Sequence, residues 1–269
     1  MLKYLIVIPI AALALVFALG CSLVHLATGN GQTVRGSGRI IEETRDIDII
    51  HGVNLATIGT LTIEVGDAPS LLISAEDNIL PLITTEVRGG VLIIETEPRT
   101  NLRTTRPVRY TLTVTSLDEV FASSSGDIIA PDLNAETFTL NLSSSGDVTL
   151  GELTCERLTV VVSSSGDAEI AGATGDVIDV ALSSSGKLTL RDGAFERQTV
   201  RLSSSGDYDA RRVRTQEADL TLSSSGSATV WVEQSLTASL SSSGNVRYAG
   251  DPVVDWNGSS SGTVRRLND

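Results

Sequence analysis

Thr137-Phe-Thr-Leu-Asn-Leu-Ser-Ser-Ser-Gly-Asp-Val-Thr-Leu150 is one unit of a pattern that fills the second half of the chain. Its Ser-Ser-Ser-Gly core starts at Ser123, Ser143, Ser163, Ser183, Ser203, Ser223, Ser241 and Ser259, with spacings of 20, 20, 20, 20, 20, 18 and 18 residues. A fixed period near 20 marks a stacked solenoid, in which no single repeat can bury its apolar face alone. Counting the first Ser as zero, position −3 reads Val120, Leu140, Val160, Val180, Val200, Leu220, Ala238 and Trp256. Position −1 is as apolar. Position −5 is mostly so, with Asp118 and Gln198 as exceptions. Alternate residues therefore form one inward strand face. The parity resumes after the motif at +5 (Ile128, Val148, Ala168, Leu188, Tyr208, Ala228, Val246, Val264) and at +7. A weaker third strand is expected near +10, at Leu133, Leu153 and Val213.

Two or three short strands per 20-residue turn describe a parallel β-helix. Coils stacked about 4.8 Å apart would make eight of them roughly 35 Å long. Shortening to 18 residues removes two loop residues and keeps the inward register. Helical repeats fail, because the apolar spacing is two and Ser-Ser-Ser-Gly would interrupt a helix in every repeat. The motif itself reads as a corner. Gly is expected to turn it by adopting positive φ. The second Ser should point inward, and the first and third outward.

The remainder of the chain divides around this core. Residues 1–20 read as an export signal: Met1-Leu2-Lys3 is a short basic start, and Tyr4 to Leu19 is an unbroken apolar run. Ala18-Leu19-Gly20-Cys21 resembles a bacterial lipobox, in which the Cys21 thiol is acylated; an uncleaved anchor helix is the other reading. Residues 21–34 read as a tether. Residues 35–116 show period-2 runs such as Leu61-Thr62-Ile63-Glu64-Val65, punctuated by Gly66-Asp67 and Gly89-Gly90. They read as a β-rich segment capping the repeats of 117–269, since an open solenoid end exposes core and strand edges. One helical turn is expected within Asp77 to Leu82.

Net charge is −13 over 269 residues. This argues against nucleic acid, which demands clustered Lys and Arg. Two cysteines, Cys21 and Cys155, make no disulfide framework. The histidines are His25 and His51, so no Cys/His cluster suggests zinc and no metal or cofactor is expected. Gly258-Ser259-Ser260-Ser261-Gly262 matches Gly-x-Ser-x-Gly but is one copy of the repeat, without the strand-to-helix elbow. No catalytic set is assigned.

Position +4 reads Asp127, Asp147, Asp167, Lys187 and Asp207 in the first five repeats. This column, beside outward hydroxyls, is the candidate binding surface. Stacked aspartates could also take Ca²⁺, although Asp serves turns for local reasons. Lys187, Arg191, Arg201, Arg211, Arg212 and Arg214 fall in two neighbouring coils with Asp207 and Asp209. That is the best place for a carbohydrate site.

Arg35-Gly36-Ser37-Gly38, the stretch Val53 to Gly66, Glu76-Asp77-Asn78-Ile79-Leu80-Pro81, Thr85-Glu86-Val87, Gly90-Val91-Leu92-Ile93-Ile94 and the repeated Ser-Gly-Asp corners carry a resemblance. Together they resemble the putative auto-transporter adhesin head GIN domain family of bacterial envelope proteins. The resemblance covers roughly residues 35 to 250 and implies a right-handed β-helix without catalytic residues. The expectation is thus an all-β, right-handed parallel β-helix of about eight coils of 18–20 residues, behind a capping segment and an export signal. Functionally, the chain reads as a membrane-tethered extracytoplasmic structural, adhesion or surface-binding module of the bacterial envelope. Its expected partners are the membrane, through the Cys21 lipid or an anchor helix, and an envelope polysaccharide or another cell-surface component. The alternative is a β-helical polysaccharide lyase or hydrolase.

Overall fold

A computed structural model describes residues 31–267, apart from Ser144, Ser259 and Ser260. The export segment and Cys21 lie outside the described residues. The rest forms one compact unit. It is all β except for a single 3-10 turn at Leu80–Leu82, within the stretch expected to hold a helical turn.

The repeats form a parallel β-solenoid, as their periodicity predicts. One column of strands precedes the serines: Glu119–Ala122, Thr137–Leu142, Arg157–Val162, the C-terminal halves of four longer strands, and Val253–Gly258. Along it, position −3 pairs with position −3: Leu140 with Val160, Val180 with Val200, Leu220 with Ala238 and Ala238 with Trp256. The second column follows the glycines, and there Ile128 meets Val148, Leu188 meets Tyr208 and Val246 meets Val264. A third side carries Leu133, Leu153, Ala173, Gly193 and Val213 in register. The inward positions are sealed: Leu140, Val160, Val200, Leu220, Leu188 and Val246 have no exposed surface. The 18-residue coils lose their two residues between Ala210 and Glu217, where the register shifts, and both main columns stay aligned on either side.

The segment before the repeats does more than cap them. Gly52–Ala56 and Thr60–Val65 form a coil of the solenoid, lying between two others. On one side they pair in parallel with Val91–Thr96 and Arg109–Val114, and on the other with Glu119–Ala122 and Asp127–Ala130. The chain thus makes an inner coil, runs outward, makes the outer coil, and returns across the first to begin the repeats. Closure comes from antiparallel strands. Ile83–Arg88 pairs with Val91–Thr96, and Ser70–Glu76 lies between Arg109–Val114 and Ile40–Asp46. Gln32–Arg35, at the end of the expected tether, is a strand paired with Thr100–Arg103.

Glu76 locks this end. It has no exposed surface. Its Oε1 accepts from the Gly38 N–H (2.6 Å) and the Thr105 hydroxyl (2.6 Å), and its Oε2 accepts from the Thr105 N–H (3.0 Å). A Cβ on residue 36 would sit 1.8 Å from Oε2, so Gly36 makes room for the carboxylate. The Thr105 hydroxyl above all, opposed by burial and helped by backbone donors, holds its carboxyl below the ordinary 4.5. A depressed folded pKa contributes stability that is present above the unfolded value and lost as pH falls through the folded one. Thermal midpoints should therefore fall as the solution is taken below about pH 5. Glu76→Gln should lower the midpoint at neutral pH and flatten that acid dependence. Melting curves followed by circular dichroism test this, and an equally steep acid dependence in the variant would refute it.

Candidate functional site

Three surfaces carry the residues singled out from sequence. The first is the serine corner. Wherever described, the first and third serines of each motif are exposed and the second is half-buried. The motif glycines are not among the described glycines with positive φ, which are Gly38, Gly59, Gly89, Gly90, Gly193 and Gly250. The expectation that Gly supplies a left-handed turn is therefore corrected. Its role is close approach. A Cβ at Gly146 would meet the Gly126 carbonyl at 2.0 Å, one at Gly186 the Gly166 carbonyl at 2.4 Å, and one at Gly226 the Gly206 carbonyl at 2.5 Å. The Gly186 and Gly226 N–H groups donate to Ser164 O and Ser204 O of the coil below (3.1 Å each). The Ser224 hydroxyl also donates to Ser204 O. The corner is a stack of backbone packed too tightly for any side chain.

The second surface is the Asp column. Asp127 Oδ1 accepts the Asp147 N–H (3.0 Å), Asp147 Oδ1 the Asp167 N–H (2.9 Å), and Asp167 Oδ1 the Lys187 N–H (2.9 Å). Each carboxylate thus ties its coil to the next, which accounts for Asp at this corner. Where Lys187 interrupts the column, the Asp207 N–H turns to the Gly186 carbonyl (3.2 Å). Above Asp207 itself, the Ser227 N–H turns to the Gly206 carbonyl in the same way. No group of three potential ligands arises in this column among the described residues.

The third surface lies where the second column turns onto the third side. A shallow groove of about 310 Å³ is lined by Thr189, Leu190, Arg191, Asp209, Arg211 and Arg212. A neighbouring depression of about 190 Å³ shares Asp209 and Arg211 and adds Lys187, Asp207 and Arg247. The 20-residue register does this gathering, because it sets Lys187 beside Asp207 and Thr189 beside Asp209. Arg191 grips Glu169 through two hydrogen bonds and holds its carboxyl below the ordinary range. Arg211 forms a like fork with Asp209 (2.9 and 2.8 Å). Burial pushes the Asp209 carboxyl up, but the bonds from Arg211 outweigh it and leave it low. Arg214 stacks over Trp231, its guanidinium carbon 4.7 Å from the ring centroid, and Trp231 Nε1 donates to Glu233 (2.9 Å). Sequence reading missed the pairing of Trp231 with Arg214, since only the register of these two residues brings the ring under the guanidinium. Of the six basic residues grouped from sequence, Arg201 belongs to a different strand, Gly193–Leu202, ahead of the serine corner.

Cys155 is buried and reduced, and burial lifts its thiol to about 11, which suits packing and not nucleophilic chemistry.

The fold and these surfaces define a parallel β-solenoid whose outward side chains form open, shallow, polar faces. The profile of the family described as putative auto-transporter adhesin, head GIN domain, matches residues 51–178 and 174–252, and the chain belongs to that family. Solved structures share the fold. A putative lipid binding protein from Parabacteroides distasonis ATCC 8503 has a TM-score of 0.81 at 23% identity, covering 88% of this chain and 100% of that one. A putative adhesin from Parabacteroides merdae ATCC 43184 has a TM-score of 0.79 at 20% identity, covering 88% and 99%. A putative adhesin from Bacteroides fragilis NCTC 9343 has a TM-score of 0.64 at 19% identity, covering 87% and 100%. No curated protein matches the chain. The adhesin description of the family points to a surface or extracytoplasmic protein. Among the described residues, no helix is long and apolar enough to cross a membrane.

Proposed function

We propose that this protein is a non-enzymatic binding module of the bacterial envelope, held to a membrane through Cys21 and engaging an envelope polysaccharide through the Arg191–Arg211–Arg212 groove. The observation that carries the ligand class is the gathering of Arg191, Arg211 and Arg212 in one open groove, with forked Arg–carboxylate pairs at Arg191 and Arg211. Fixed guanidinium and carboxylate groups hydrogen-bond sugar hydroxyls in defined directions. Such a groove is open and shallow, which suits a long chain lying across coils. The lyase or hydrolase alternative needs a carboxyl able to give or take a proton near neutral pH, whereas Asp209 is held by Arg211 with its carboxyl kept low, which makes it a poor acid and a weak base.

Two measurements test this reading. Mass spectrometry of the N-terminus from native membranes should find Cys21 diacylated or triacylated, and an unmodified Met1 terminus would refute the lipid tether. The purified protein should bind a glycan panel drawn from envelope polysaccharides, and Arg212→Glu should weaken binding about tenfold, the effect of losing one charge-assisted hydrogen bond. Absence of binding across the panel, or binding indifferent to Arg191→Ala and Arg212→Glu together, would overturn the assignment.

A further inference from the structure

We propose that His51, Asp118 and Glu119 form a binding site for a divalent transition cation of the zinc class. The residues come from distant parts of the chain and meet because of the crossed coil order. Gly89-Gly90, His51 and Asp118 each directly precede a strand of the first column: Val91–Thr96, Gly52–Ala56 and Glu119–Ala122. These strands are parallel neighbours, with Gly52–Ala56 in the middle. Backbone bonds fix the approach. The His51 N–H donates to Gly90 O (2.9 Å), and the His51 carbonyl accepts from the N–H groups of Asp118 (2.9 Å) and Glu119 (3.2 Å). A Cβ at residue 90 would fall 2.4 Å from His51 Cδ2, so a glycine there is what lets the ring lie in this place.

The geometry then assigns the lone pairs. His51 Nε2 is 3.0 Å from the Gly89 carbonyl, which can only accept, so Nε2 carries a proton. Nδ1 lies 3.1 Å from Asp118 Oδ1, a gap bridged by a proton in the imidazolium and open to a metal ion once Nδ1 is deprotonated. A Glu119 oxygen completes the group, with the three donor atoms all within 4.8 Å of one another. Two carboxylates and a ring lone pair converging on one point repel unless a proton on Nδ1 or a metal cation lies between them. A divalent ion cancels the two negative charges. Zinc bonds of about 2.0–2.1 Å place tetrahedral neighbours about 3.3 Å apart, close to the separation of Nδ1 and Oδ1. One imidazole with two carboxylates suits Zn²⁺, Ni²⁺ or Co²⁺ better than Ca²⁺ or Mg²⁺, which take oxygen shells. Donation of the distal ring N–H to a backbone carbonyl is how metal-bound imidazoles are commonly oriented. The His51 and Asp118 side chains are 48% and 45% exposed, so the ion has a path in and water can fill the remaining positions.

The competing arrangement is a protonated His51 donating to Gly89 O and Asp118 Oδ1; both hydrogen bonds, and the Asp118 and Glu119 charges after them, raise its pKa above the ordinary 6.5. Calorimetric titration of the tag-free, chelator-treated full chain with ZnCl₂ near neutral pH separates the two. Expected is one ion per chain, bound with at least tenfold lower affinity in His51→Ala and in Glu119→Gln, while calcium gives no heat. Co²⁺ should produce a visible absorption band that Glu119→Gln abolishes. Circular dichroism confirms that both variants remain folded. No zinc uptake at millimolar concentration, or uptake equal in parent and both variants, would overturn the site. Neither outcome bears on polysaccharide binding, which is carried by a different face.

Discussion

Gly186→Ala is expected to lower the unfolding free energy by about 3 kcal/mol. The added methyl carbon would stand 2.4 Å from the Gly166 carbonyl oxygen, 2.8 Å from Ser164 O and 3.0 Å from Val162 Cγ1. Two of these contacts are backbone, and that backbone is committed. The Gly186 N–H donates to Ser164 O, and the Gly186 carbonyl accepts from Asp207. Relief would require the coils to part, breaking the ladder on both flanking strands. Gly89→Ala is the control. It too replaces a turn glycine, but nothing lies within 4 Å of its Cβ, and only its φ of +59 opposes a side chain. That strain costs about 1 kcal/mol. Urea unfolding of both variants measures the difference. Equal losses would show that close approach is not what the motif glycine serves. Because each coil contacts only its neighbours, the damage should begin locally. Hydrogen exchange should then show early opening around residues 160–210.

Gln198 carries the second large effect. It stands at the −5 position, which is apolar in most coils, and has no exposed surface. Its Nε2 donates to Thr215 Oγ1 (2.6 Å), and its Oε1 accepts from the Tyr208 hydroxyl (3.3 Å). Thr215 passes the chain on by donating to Trp231 O (2.8 Å). Four polar groups from three coils thus satisfy one another inside a solenoid core, and no buried side-chain polar atom among the described residues is left without a partner. Gln198→Ala opens a cavity and strands the Tyr208 hydroxyl, a loss of about 3 kcal/mol. Gln198→Leu fills the space but still orphans that hydroxyl, costing about 2 kcal/mol. Adding Tyr208→Phe removes the orphan, so the double variant should return to within about 1 kcal/mol of the parent. Strictly additive losses in this cycle would mean that the two side chains share no bond.

Much of this architecture was legible from the chain alone. Parity around Ser-Ser-Ser-Gly placed Val160, Leu220, Leu188 and Val246 in the core, and all have no exposed surface. It worked because a β-coil repeats its environment: the same position meets the same neighbour one period later, and a side chain alternates in or out with period two. The motif glycine was read correctly as a corner but for the wrong reason. A single repeat shows a residue's own conformational range, while the demand at Gly186 comes from the carbonyl of another coil. The Asp column shows the same limit. From sequence it is a row of charges, and only stacking reveals that Asp127, Asp147 and Asp167 reach upward to the next coil's N–H groups.

Outside the repeats, legibility falls. Strands were readable in residues 35–116, because alternation is local, but their order was not. Nothing near Val53 says that its neighbours are Leu92 on one side and Val120 on the other. The gatherings at Glu76, at His51 with Asp118, and at Arg214 with Trp231 all follow from pairing between distant segments. The Ser-Ser-Ser-Gly period therefore determined by itself that this protein is a parallel β-solenoid, and which residues line it, because burial parity is written in short-range spacing. Tertiary structure alone decided that an earlier coil is threaded between two later ones, and which charged groups meet across them, because pairing between strands depends on partners that local sequence does not name.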